Sequence, residues 1–116
     1  MNDQAVAAQV GIELSVKDRL VLLGILMGES GRLADYKIIA ALRDRLALSE
    51  HEQERAEFID ADRSQWKNDF KMPFEFSARE REIIAHALLR VEVQGGVNAD
   101  NYALYGAFGV EPKESA

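Results

Sequence analysis

The sequence predicts a mainly helical α+β domain of four to five helices, with a small β-hairpin or ribbon between the third and fourth helices. Three observations predict it. A hydroxyl is followed three residues later by a carboxylate at Ser15 with Asp18, Ser49 with Glu52 and Ser77 with Glu80; in this pattern the hydroxyl accepts from an orphan N–H of the first helical turn while the carboxylate reaches back to the cap residue. Apolar residues recur at three- and four-residue spacings behind the first and third of these signals and behind Gly31. Between Met72 and Ser77 they alternate with other residues at the two-residue period of a half-buried strand.

Residues 1–11 mix Asn, Asp, Gln and small apolar side chains without a period and are expected to form a loose arm, followed by a single globular domain over 12–109. Ile12 to Ser15 reads as extended. From Val16 a helix follows, with Val16, Leu20, Leu23 and Met27 as its stripe and Leu22 and Leu26 widening it. Gly28-Glu-Ser-Gly31 stops it, since glycine tolerates the left-handed conformation in which helices often end. A second helix is expected over 32–47, with Ala34, Ile38, Ala41 and Leu42 as its strip, extended by Ile39 and Leu46, and with Asp35, Lys37, Arg43, Asp44 and Arg45 on the other face. Ser49 opens a short third helix to about residue 58 that is polar apart from Ala56 and Phe58.

The helical period is lost over 59–76. Asp62 to Gln65 reads as a turn, Trp66 follows, and Met72, Phe74 and Phe76 make one face of a strand. Pro73 has no N–H for a ladder, so that strand is expected to sit at an edge or begin irregularly. Ser77 opens the fourth helix, over 78–93, with Ile84, Leu88 and Val91 inside and Ile83 and Ala87 beside them; Gly95-Gly96 ends it. Asn98 is expected to cap a last short helix over 99–108, and 110–116 to fray.

Composition narrows function mostly by exclusion. A chain of 116 residues, 47% of them hydrophobic, suits one modest core. No apolar run approaches the ~20 residues that span a bilayer, the start lacks a basic secretory leader, and there are no cysteines for a disulfide, a thiolate nucleophile or a Cys-based zinc site. A cytoplasmic chain without a membrane segment is the expectation. The net charge of −6 sets the average field against phosphate backbones. Acid is densest from Ser49 to Asp62, where Glu50, Glu52, Glu54, Glu57, Asp60 and Asp62 accompany one cation, Arg55. That stretch suits either solvent or a basic protein surface.

The chemical constellations are incomplete. Asp60, Asp62 and Ser64 occupy the first, third and fifth positions of a calcium loop, yet Gln65 stands where glycine must turn and Lys71 where a bidentate glutamate closes the shell. Glu82 and His86 lie four apart and suit a surface ion pair; with His51 the chain has only two histidines, too few for a good helical-bundle metal site. No phosphate-cradling glycine pattern occurs and the three capping serines are committed to helix starts, so neither catalysis nor a cofactor or metal is expected.

Helix, turn, helix and ribbon is also the order of parts in a winged-helix domain. In that alternative Arg32, Lys37, Arg43 and Arg45 contact phosphates and Arg63, Lys67 and Lys71 line the wing, although Asp35, Asp44 and the acidic third helix dilute the charge and make nucleic acid a poor partner. The aromatics Trp66, Phe70, Phe74, Phe76, Tyr102, Tyr105 and Phe108 gather in the second half as a local core, with Trp66 singled out as the one left exposed for a partner.

Leu14-Ser-Val-Lys-Asp-Arg-Leu, Lys37-Ile-Ile, Leu42-Arg-Asp-Arg-Leu, Leu48-Ser-Glu, Trp66 and Phe74-Glu-Phe-Ser together resemble small uncharacterised proteins encoded by bacteriophages and prophages, over about residues 13–108. The resemblance implies a compact helical domain with a short ribbon and a role in phage biology, and it brings no catalytic or ligand residues. The functional expectation is a non-enzymatic interaction module, an accessory or adaptor that binds a protein or a copy of itself through Trp66, Glu50, Glu54 and Glu57.

Overall fold

A computed structural model describes residues 10–59 and 65–111. The chain runs β1 (Val10–Ser15), α1 (Val16–Met27), α2 (Leu33–Leu46), α3 (Glu50–Ala56), β2 (Lys71–Phe76), α4 (Ala78–Val93) and α5 (Tyr102–Ala107), a mainly helical α+β fold. All three capping boxes close. Ser15, Ser49 and Ser77 accept from the N–H of Asp18, Glu52 and Glu80 at 3.0–3.1 Å, and each carboxylate accepts in return from the N–H of its serine. Asp69 adds a second anchor at the start of α1, its Oδ1 accepting from the Val16 N–H at 2.8 Å.

β2 lies between the third and fourth helices and has the expected alternation, with Met72, Phe74 and Phe76 turned inward. Its partner is distant in sequence. β1 pairs with it antiparallel from Val10 opposite Phe76 to Ser15 opposite Lys71, so Val10 and Gly11, expected in the loose arm, belong to the sheet. Ile12 and Leu14 share the two-residue period and meet Phe74 and Met72 on the buried face. The segment before β2 contributes a single bridge, Phe58 to Trp66. Pro73 sits opposite Glu13 in a two-stranded sheet whose strands are both edges, where its missing N–H costs no interior bond.

α1 packs on the sheet, on α2 and on α4; α2 also meets α4, and α4 carries α5. The core joins Ile12 and Leu14 with Leu22, Leu26, Ile39, Leu42, Leu46, Phe76, Ile84, Leu88, Leu104 and Phe108. Each fully buried side chain of this size contributes about 1.5–3 kcal/mol. Two helices are rotated from their expected faces. α1 buries Val16, Arg19, Leu22 and Leu26 and leaves Met27 64% exposed; α2 buries Ile39, Leu42 and Leu46 and leaves Ala34 and Ala41 exposed. A shift of one position turns a helix face by about 100°. In α2 the face centres on Leu42 with Ile39 and Leu46, the residues expected to extend the strip, and leaves the alanines outside, and in α1 it brings in Arg19.

Gly28 takes right-handed values, φ −88° and ψ 0°, and not the left-handed ones expected of it. Its small size matters instead, because a Cβ there would stand 3.3 Å from the Arg90 guanidinium. Positive φ is confined, among the described glycines, to Gly95 and Gly109. α5 starts later than expected, since the Asn98 side chain accepts from the N–H groups of Asp100 and Asn101 and closes a turn ahead of the helix. Val110 packs against the core and donates its N–H to the Tyr105 carbonyl, so it belongs to the domain and not to a frayed tail.

Candidate interaction surface

α3 is too short and polar to hold itself in place, and an arginine holds it. Arg19, 2% exposed, donates from Nε to the Leu46 carbonyl at 3.0 Å and from Nη2 to that of Ala47 at 2.9 Å, satisfying carbonyls at the end of α2. The same guanidinium grips both oxygens of Glu52 at 2.9 and 3.0 Å and lies over the Phe74 ring. The Arg19 hydrogen bonds, with further help from the Ser49 backbone and against partial desolvation, lower the Glu52 pKa to about 2. Four elements meet at this one side chain. Its sequence signal is a cation three residues after Val16 and three before Leu22, inside the apolar face.

The residues predicted to meet a partner are only partly available. Glu50 and Glu54 are exposed on one side of α3, four residues apart. Glu57 ends the helix in a left-handed conformation, φ 58°, and its carboxylate accepts from Asn68 Nδ2 at 2.8 Å with Lys67 4.0 Å away. Trp66, expected to be exposed, is half-buried and packs edge-on against Phe58 with ring centroids 5.9 Å apart. Arg55 covers Phe70 at 4.0 Å. Asp60, Asp62, Arg63 and Ser64, the calcium-loop and wing residues, lie outside the described residues.

The cations of the nucleic-acid alternative are divided. Arg45 donates to Glu80 at 3.0 Å and to the Glu75 carbonyl while stacking on Phe76, which commits it to joining α2 to β2 and α4. Lys67 faces Glu57, Arg43 donates to the Tyr36 hydroxyl at 3.2 Å, and Arg32 is exposed at the start of α2.

Two grooves frame α4. One, about 480 Å³, runs between the α1–α2 turn and α4 and is lined by Glu29, Arg32, Asp35, Arg79, Glu82 and His86 among others. Its carboxylates are already paired. Arg79 bridges Asp35 and Glu82, which hold its guanidinium more firmly protonated, and Arg90 binds Glu29 and the Ile25 carbonyl. Glu82 therefore meets Arg79, three residues back, in place of the expected His86. Among the described residues no group of three His, Asp or Glu side chains is placed to hold a metal ion.

The other groove, about 440 Å³, lies where α5 folds back on the end of α4 and is lined by Glu92, Val97, Tyr102, Ala103, Tyr105, Gly106 and Val110. Tyr105 forms its floor, with its hydroxyl donating to the Leu88 carbonyl at 3.0 Å; burial, then the charge of Glu92, pushes that phenol's pKa up. Tyr102 is 73% exposed, Val93 66% and Val97 38%. Tyr102, expected in the local core, stands outside it. With Leu104 and Phe108 four apart and inward, helical spacing turns Tyr102 well away from them, a signal that was present in the residues.

No helix among the described residues is long and apolar enough to cross a membrane. Set against protein-family models, curated proteins and solved structures, the chain matches none.

Proposed function

We propose that this chain is a non-catalytic interaction module that binds a protein partner, or a second copy of itself, through its outer surface. The observation that carries the reading is Tyr102, a large aromatic left mostly in solvent at the rim of an apolar groove, with Val93 and Val97 exposed nearby. Large side chains in such a patch supply much of the energy of protein association. Glu50 and Glu54 form a second, acidic contact edge on α3. In the His86 groove the carboxylates of Glu29, Asp35 and Glu82 are each paired with an arginine, so among the described residues lining it no unpaired carboxylate is offered as a base to that imidazole, in keeping with a binding role. A phage or prophage accessory role is part of the proposal and rests on the resemblance in sequence alone.

The test is capture from the native host with the purified chain as bait, beside light scattering of the chain alone. A specific partner, or a concentration-dependent dimer, that is retained by the wild type and lost on Tyr102→Ala is the expected result. A strictly monomeric chain that captures nothing, or the same partner held equally by Tyr102→Ala and by Glu50→Ala with Glu54→Ala, contradicts the proposal.

A further inference from the structure

Glu92 is out of place in the groove beside α5. The walls are apolar, yet the half-buried Glu92 lines them, and one of its carboxylate oxygens is shut off from solvent with no hydrogen-bond partner. A buried charge is tolerated when it is paired, and the nearest basic residue along α4, Arg90, is taken by Glu29 and the Ile25 carbonyl. Glu92 also stands in the last turn of α4, where the helix dipole disfavours negative charge. Tyr102 and Tyr105 line the same groove, and aromatic rings attract cations.

We infer that this groove is a docking site for a basic residue, lysine or arginine, flanked by apolar residues on a protein partner, with Glu92 as the carboxylate that receives its charged head. The inference rests on the interaction reading above and gives its partner a chemistry. A lysine or arginine side chain matches the site along its length, because its methylene stem covers apolar surface while its head seeks a carboxylate. The chain's charge of −6 favours the approach of such a partner and the rejection of acidic ones. The same carboxylate disfavours a phosphate group in this groove.

A random-dodecapeptide display library panned on the purified chain tests this. Enriched peptides are expected to share a lysine or arginine beside apolar residues, and their affinity is expected to fall about tenfold or more in Glu92→Gln and Tyr102→Ala, as for residues at the centre of an interface. Ala103→Trp, which fills the groove and leaves Glu92 in place, is expected to abolish binding; circular dichroism confirms that each variant is folded. Enrichment of acidic or uncharged peptides, no enrichment, or equal binding by Glu92→Gln overturns the inference. Peptides that bind all three groove variants but not Glu50→Lys with Glu54→Lys overturn the groove and leave the interaction module standing. A dimer of the chain that Tyr102→Ala dissociates and Glu92→Gln does not assigns the groove to a second copy and overturns the basic-peptide inference.

Discussion

Arg19 and Glu52 show how one ion pair can organise a small fold. Arg19→Ala strands the Leu46 and Ala47 carbonyls and takes the partner from the partly buried Glu52, so it is expected to cost about 3–5 kcal/mol, well beyond an exposed pair. The pair also sets an acid limit. The folded pKa of Glu52, about 2, lies below its ordinary 4.5, so its contribution is complete above the unfolded value and is lost as pH falls from 4.5 through 2. Thermal midpoints followed over that window are expected to drop more steeply for the wild type than for Glu52→Gln; parallel curves would remove the pair from the account. Two glycines offer a contrast of sign. Gly24 lies in the middle of α1 with open space around its Cβ position, so Gly24→Ala is expected to stabilise by about 0.5–1 kcal/mol. Gly95 has the same open space but a φ of 75°, and Gly95→Ala is expected to destabilise by about 1–2 kcal/mol in urea titrations.

At the level of elements, the structure depends on a strand pair that closes the chain's start onto its middle. Leu14→Ala is expected to cost about 2–5 kcal/mol by denaturant unfolding, because Leu14 is buried opposite Met72. Met27→Ala, although Met27 lies in the stripe read from sequence, is expected to stay within about 0.5 kcal/mol. The contrast marks what was legible. The starts of α1, α3 and α4 are legible because a capping box is a local signal, complete within four residues, whereas α5, which has no such box, starts later than its sequence suggests. The strand at Met72 to Phe76 was read correctly because its period is local too. Its partner was not, since register between segments some sixty residues apart is decided by which apolar faces meet in three dimensions. The stripes of α1 and α2 were each displaced because a buried arginine and several alanines made two neighbouring faces look equally apolar. The candidate site is the hardest part to read: Glu50 and Glu54 are exposed on α3, but Trp66 packs against Phe58, and the groove needs α4 and α5 folded together before Tyr102 and Glu92 become neighbours.

The whole molecule is acidic, and its arginines are largely spent on holding elements together: Arg19 on α2 and α3, Arg45 on β2 and α4, Arg79 on α2, Arg90 on the α1–α2 turn. The net charge of −6 sets the average field against phosphate backbones, and the chain is expected to pass through immobilised heparin unretained at low salt. Retention that weakens with salt and is lost on Arg32→Ala with Arg43→Ala would favour the nucleic-acid alternative. The contact site proposed above is the apolar groove beside α5, with Glu92 in its wall. Amide hydrogen exchange of the chain, free and bound to its captured partner, addresses that claim most directly. Slowed exchange concentrated in residues 93–106 is the outcome this account expects, and slowed exchange confined to the His86 groove or to α3, with 93–106 unchanged, would contradict it.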